Sequence, residues 1–149
     1  MNFSDYLDLE HIKLIASATK KKSLVILSEM VCQSTPLDPH VVLASLFERE
    51  QLGSTAIGKS VAIPHCRIAG LSNPIVALLR VSQGVDYEAP DGLPVKLIFA
   101  LLFPSDATQQ HLDILASLAS RFNETANVNE LLLARNESDL LHRLKMPAA

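Results

Sequence analysis

The chain has 149 residues, of which 48% are hydrophobic and 19% charged; it is long enough to bury a core without crosslinks and too apolar for intrinsic disorder. Lys and Arg number 13 against 16 Asp and Glu, a formal net charge of -3, which argues against nucleic acid as a partner because phosphate backbones are bound by basic surfaces. The start, Met1-Asn2-Phe3-Ser4-Asp5, is not the basic and then apolar pattern of a signal peptide. The most apolar run, Leu97 to Phe103, is far shorter than the roughly 20 residues that cross a bilayer, so the expectation is a cytoplasmic chain with no stable membrane insertion.

In chain order, the spacing of apolar residues predicts a short strand over His11 to Ala16. A helix follows over Lys20 to Cys32, with Leu24, Leu27, Met30 and Val31 on one face. Its opening run Lys20, Lys21 and Lys22 reads as a solvated helix start. Asp38 and Pro39 suit the N-cap and first position of a second helix, which carries Val42, Leu46, Glu48 and Arg49 and is ended by Gly53. Ala62-Ile63 is a short extended piece, since Pro64 biases Ile63 away from helix.

Ile75 to Val81 and Val95 to Phe103 are near-continuous apolar runs, as in strands covered on both faces. Gly84 and Asp91-Gly92 mark turns between them. Pro104-Ser105-Asp106 leads into a helix over Thr108 to Phe122, whose expected apolar stripe is Leu112, Leu115, Leu118, Ala119 and Phe122. Short helices over Val128 to Ala134 and Ser138 to Leu144 close the chain. The alternation predicts an α/β protein, a three-layer α/β/α sandwich with a mixed, mostly parallel sheet flanked by helices, in which a segment between Ile75 and Tyr87 folds back antiparallel. Cys32 and Cys66 fit neither a metal pattern nor a disulfide framework and read as reduced thiols.

Gly53-Ser54-Thr55-Ala56-Ile57-Gly58-Lys59-Ser60 matches the phosphate-binding pattern GxxxxGK(S/T) letter for letter. Its context is wrong. The residues before Gly53 read as helix rather than strand, and Pro64 forbids a long helix after Ser60. Nucleotide binding is therefore rejected. The segment remains a glycine-hinged loop, either an ordinary polar turn after a helix or one whose Ser54 and Thr55 hydroxyls face an anion.

Of five histidines, His11, His40 and His142 read as surface residues. His65 follows Ala62-Ile63-Pro64, where an apolar strand leaves the core, a rigid base from which to present a reacting group. Neutral imidazole is a competent nucleophile near neutral pH. His111 lies in the first turns of its helix, an end that attracts anions and disfavours imidazolium. Arg49, near the end of the second helix, offers a forked pair of donors suited to a phosphoryl group, or a surface ion pair with Glu48 or Glu50.

Taken together, Glu48-Arg49-Glu50, Gly53-Ser54-Thr55, Gly58, Ala62-Ile63-Pro64-His65, the run from Val95 to Pro104 and His111-Leu112 closely resemble the fructose/mannitol-type enzyme IIA domains of the bacterial phosphotransferase system. The resemblance covers nearly the whole chain, 1–149 as one domain, and is strongest to the nitrogen-regulatory branch. It implies that His65 is phosphorylated at Nε2, that Arg49 and His111 flank the phosphoryl group, and that Ser54 and Thr55 form the loop beside it. It implies a phosphotransferase with a phosphohistidine intermediate and no cofactor. The donor would be a phosphohistidine carrier protein (HPr-like), and the downstream partners regulatory target proteins or a sugar permease component. One departure is visible: Cys66 follows the histidine where the family commonly carries Gly.

Three functions are compatible with these residues. The first is a nitrogen-regulatory carrier acting by phosphorylation-dependent protein binding. The second is a sugar-specific enzyme IIA that passes phosphate to a membrane permease. The third is a phosphorylation-independent binding module.

Overall fold

The computed structural model describes residues 2–147. A single 3-10 turn, Phe3–Tyr6, leads into β1, Leu7–Ile15. Helices α1, Lys20–Gln33, and α2, Pro39–Gln51, follow, and then three short strands, β2 Ala56–Gly58, β3 Val61–Ala62 and β4 His65–Ile68. Two long strands, β5 Ile75–Val85 and β6 Val95–Pro104, precede helices α3 Gln109–Arg121, α4 Thr125–Leu132 and α5 Glu137–Lys145.

The predicted cap of α2 is in place. The Asp38 carboxylate accepts from the His40 N–H at 2.9 Å, with Pro39 as the first residue of α2. Thr19 caps α1 through the Lys22 N–H at 3.1 Å.

All six strands lie in one sheet with the order β1-β5-β6-β3-β2, and β4 also pairs β6. The β1–β5, β3–β6 and β4–β6 pairings are parallel. The expected antiparallel return is β5, which runs against β6 from Ile75↔Leu102 to Val85↔Val95. The sheet is thus mixed, between helices on both faces, as expected.

The apolar run of β6 explains the layering. Leu97, Phe99, Leu101 and Phe103 pack into one core with Phe3, α3, α4 and α5. From Ile98 on, the alternate residues Ile98, Ala100 and Leu102 pack into the other with α1 and α2. Period-two alternation with both sets apolar is what a strand buried on two faces requires.

β3 and β4 are one edge interrupted at Ile63-Pro64. Ala62 pairs Ile98 and His65 pairs Leu101, so the register with β6 is kept across the gap. Pro64 has no N–H to give, but its carbonyl accepts from Leu101 N–H at 2.9 Å. Ile63 N–H turns away from β6 and donates to the Thr55 carbonyl at 2.9 Å. This bond continues the β2–β3 pairing and ties the glycine loop to the residue two before His65.

Four expectations need correction. His11 is not a surface residue: it is 4% exposed, and its Nε2 shares a 2.6 Å hydrogen bond with Ser34 Oγ, because β1 begins at Leu7 and carries it inside the sheet edge. Lys20 is not wholly solvated, since its ammonium pairs with Glu50 at 3.0 Å. α3 buries only part of the expected stripe: Leu118 and Phe122 fill the core with Ile114, and Leu115 packs against it, while Leu112 is 61% exposed. Leu115 and Ala119 also line a surface hollow beside His65, so the apolar surface of α3 serves two purposes.

The fourth concerns the GxxxxGK(S/T) segment, which includes a strand that sequence periodicity did not reveal. β2 and β3 form a hairpin closed by Lys59 and Ser60, both left-handed at φ 56° and 68°, between the paired Gly58 and Val61. This is the geometry of a two-residue hairpin turn that favours Asn-Gly. The Asp91 carboxylate steadies it by accepting the Lys59 N–H at 2.8 Å. Replacing the pair with Lys59→Asn and Ser60→Gly is expected to stabilise the protein by about 1 kcal/mol. The urea midpoint should rise; an unchanged or lowered midpoint contradicts the strain.

Candidate functional site

His65 opens β4 and is half-buried, at the mouth of two adjoining hollows. One, of about 230 Å³, is lined by Arg49, Ser54, Thr55, His65 and Leu115 among others. The second, of about 330 Å³, is lined by Glu48, Arg49, His65, Arg67 and His111 among others. The other four residues singled out in the sequence, Arg49, Ser54, Thr55 and His111, thus line hollows shared with the His65 imidazole, delivered by α2, the loop after it and α3.

The His65 ring is fixed through Nδ1, which lies 2.8 Å from the Ile63 carbonyl. A carbonyl only accepts, so Nδ1 carries the hydrogen and Nε2 keeps the lone pair. Burial, the largest cause, holds the His65 pKa below its ordinary value; the Ile63 carbonyl opposes this, the Arg49 guanidinium adds to it, and the Glu50 carboxylate opposes it. The ring is therefore neutral and nucleophilic at Nε2 around neutral pH.

The His111 ring stands edge-on to His65, with centroids 5.5 Å apart and planes at 77°. It rests on Phe103, 4.2 Å between centroids. Its Nδ1 is buried without a partner. An orphaned N–H is rarer than an orphaned acceptor, which favours the tautomer with the hydrogen on Nε2. Burial, then repulsion from the His65 ring when it is protonated and from the Arg67 guanidinium, lowers the His111 pKa as well.

Both depressions have the same sign. A base held neutral in the folded state adds stability above the ordinary imidazole pKa of about 6.5, and that stability is lost as pH falls below it, where only the unfolded chain takes up the proton. In an NMR titration His65 and His111 are expected to have midpoints below 6.5. A midpoint at or above that value for either ring contradicts the burial.

Arg49 does not make the surface ion pair that its neighbours suggested. Its Nη1 donates to the Gly53 carbonyl at 2.9 Å, which steadies the guanidinium across the end of α2. The Ser54 hydroxyl donates to the Tyr87 carbonyl at 2.6 Å, and the Thr55 hydroxyl donates to the Glu50 carboxylate. Both hydroxyls face inward here, so the loop walls the hollow with its backbone and with Ile57.

Sequence reasoning missed Arg67 and Glu50. Arg67 lies two residues after His65 on β4, hence on the same side of the strand, and its Nη1 donates to the Ser105 carbonyl at 3.2 Å. That spacing was a usable signal. Cys66, between them, points the other way into the core under α1 and α2, and burial pushes its thiol up to about 12. It is an apolar packing group rather than a reactive thiolate.

Residues 5–146 match the family described as phosphoenolpyruvate-dependent sugar phosphotransferase system, EIIA 2. The chain belongs to this family.

Among its relatives, a nitrogen regulatory protein of Pseudomonas aeruginosa is 36% identical over 131 residues, covering 87% of this chain and 84% of that protein. A fructose-specific EIIA component of Haloferax volcanii is 33% identical over 138 residues, covering 89% of each. In the crystal structure of the nitrogen regulatory protein IIA-Ntr from Neisseria meningitidis the same fold recurs, with a TM-score of 0.89 at 36% identity, over 95% of this chain and 98% of that one. The resemblance to the nitrogen-regulatory branch is thus found at the level of both sequence and fold. As an enzyme IIA of this type, the protein has a role in phosphoryl transfer. Among its described residues no helix is long and apolar enough to cross a membrane.

Proposed function

We propose that the protein accepts a phosphoryl group on Nε2 of His65 from a phosphohistidine carrier protein, and that the phosphorylation state of His65 selects its regulatory protein partners. The observation that carries this reading is the Nδ1–H···O=C bond to Ile63, which leaves Nε2 with its lone pair in a hollow shared with Arg49 and His111.

The transfer balances as an in-line displacement. The Nε2 lone pair forms the new N–P bond while the donor's N–P bond breaks and its electron pair returns to the donor imidazole. The His65 ring takes on positive charge as it attacks, and the Ile63 carbonyl meets that charge at Nδ1. Arg49 offsets the negative charge on the phosphoryl oxygens, and His111 donates from Nε2. Ser54 and Thr55 stabilise the group as the wall that keeps it against Arg49. Such reactions depend on positioning and electrostatics. Exposed Leu52 and Ile57 line the hollows and supply an apolar rim for a docking protein.

Phosphorylation adds about two negative charges at this rim. Affinity capture with His65→Ala and with His65→Glu, an acidic stand-in, is expected to recover different protein sets. Identical sets contradict phosphorylation-dependent binding. The fructose-specific relative supports a second reading, in which phosphate passes on to a permease component. Transfer of label from the protein to a permease cysteine in a reconstituted assay would select that reading.

A further inference from the structure

Behind the glycine loop lies a carboxylate that the transfer scheme does not use. Glu50 follows Arg49 on α2 and is only 9% exposed. Burying a charge is costly unless its lone pairs are engaged and an opposite charge is near. Both conditions hold. One carboxylate oxygen accepts the Thr55 and Tyr87 hydroxyls, the latter at 3.0 Å. The other accepts the Thr55 N–H at 3.2 Å and pairs with the Lys20 ammonium at 3.0 Å. Lys20 in turn lies 4.5 Å over the Tyr87 ring. Four groups drawn from α1, the loop after α2 and the segment after β5 therefore converge on one acid.

The hydrogen bonds continue from this acid to the nucleophile. Thr55, held by Glu50 at its N–H and its hydroxyl, accepts the Ile63 N–H on its carbonyl at 2.9 Å. Ile63 accepts His65 Nδ1–H on its own carbonyl at 2.8 Å. The order is Glu50, Thr55, Ile63, His65, with the last step at the ring nitrogen that does not react. The Ile63 N–H is available for this use because it continues the β2–β3 pairing, one residue beyond Ala62 opposite Ala56.

We propose that Glu50 is a positioning residue for His65: acting through Thr55 and Ile63, it holds the imidazole in the Nδ1–H form with Nε2 free, and its buried negative charge favours the positive ring that forms when Nε2 bonds to phosphorus. The arrangement resembles in logic a catalytic acid that orients a histidine, with two residues of main chain interposed. It departs from a merely structural buried acid in having an electrostatic effect on His65. Glu50 favours the charged form of that ring, while Arg49, and His111 and Arg67 across the hollow, also face it. Lys20 tempers the charge on Glu50, and the phenol of Tyr87 stays a donor because burial and Glu50 both push its pKa up.

The inference rests on His65 as the phosphoryl acceptor, but its test does not need phosphate. In full-length protein with nitrogen-15 histidine, long-range proton–nitrogen spectra read the tautomer and titration of His65 directly. In the native protein His65 is expected in the Nδ1–H form throughout its neutral range. Glu50→Gln, nearly isosteric, is expected to give a mixture of tautomers, a lower His65 pKa and roughly tenfold slower phosphoryl acceptance. Lys20→Met, which leaves the Glu50 charge uncompensated, is expected to raise the His65 pKa, and it carries the test alone if Glu50→Gln does not fold. An unchanged His65 tautomer and pKa in Glu50→Gln, or an unchanged or lowered pKa in Lys20→Met, overturns the proposal. Native protein that shows the tautomer but takes no phosphate would overturn the function and leave the positioning intact.

Discussion

Incubated with a phosphorylated histidine carrier, the His65→Ala protein is expected to gain no phosphoryl group, while the native protein gains one. The expected loss is complete because no other described histidine combines a fixed tautomer with a cationic hollow. His11 is buried against Ser34, His40 and His142 are exposed on helices, and His111 has its Nδ1 buried without a partner. The substitution should leave the fold intact: His65 is only half-buried, and its side chain makes one hydrogen bond, to the Ile63 carbonyl, beside its edge contact with His111. Intact-protein mass reads the result. Equal labelling of native and variant protein would remove His65 from the mechanism.

The next largest effect is expected at Arg49. Arg49→Ala should slow phosphoryl acceptance by about 10²–10³-fold, the range seen when a pre-placed donor to a developing anion is deleted. Its guanidinium is already anchored, with Nη1 on the Gly53 carbonyl, so it needs no reorganisation when the phosphoryl group arrives. Arg49→Lys keeps the charge but cannot both hold Gly53 and present a planar fork, so an intermediate rate is expected. Stability should change little, by about 1 kcal/mol for the single hydrogen bond lost. Rapid-quench kinetics against a phosphorylated carrier measure the rate, and an Arg49→Ala rate within twofold of native would exclude the role.

The sequence was most informative where one physical rule acted alone. β6 was legible because both of its faces are covered, so nearly all of Val95 to Phe103 had to be apolar. α2 was legible because Asp38-Pro39 can do little other than start a helix. Arg49, His65 and His111 could be named, but their meeting depends on α2, β4 and α3 converging, and only the family resemblance supplied that. β2 was hidden because three residues cannot show a period and because glycine and serine gave the look of a phosphate loop. Leu112 was misplaced because a helix beside a functional hollow has two apolar surfaces, and spacing does not say which one is core. Glu50 was read with its neighbours as a surface acid, since two of its three partner residues, Lys20 and Tyr87, come from segments distant in sequence. Long-range polar contacts leave little local trace.

The most direct measurement is the position of the phosphoryl group itself, by phosphorus–nitrogen correlation in protein phosphorylated by the carrier and labelled with nitrogen-15 histidine. The account predicts phosphorus bonded to Nε2 of His65, with the Nδ1 hydrogen still held by Ile63. Phosphorus on Nδ1 of His65, or on His11, His40, His111 or His142, would contradict it.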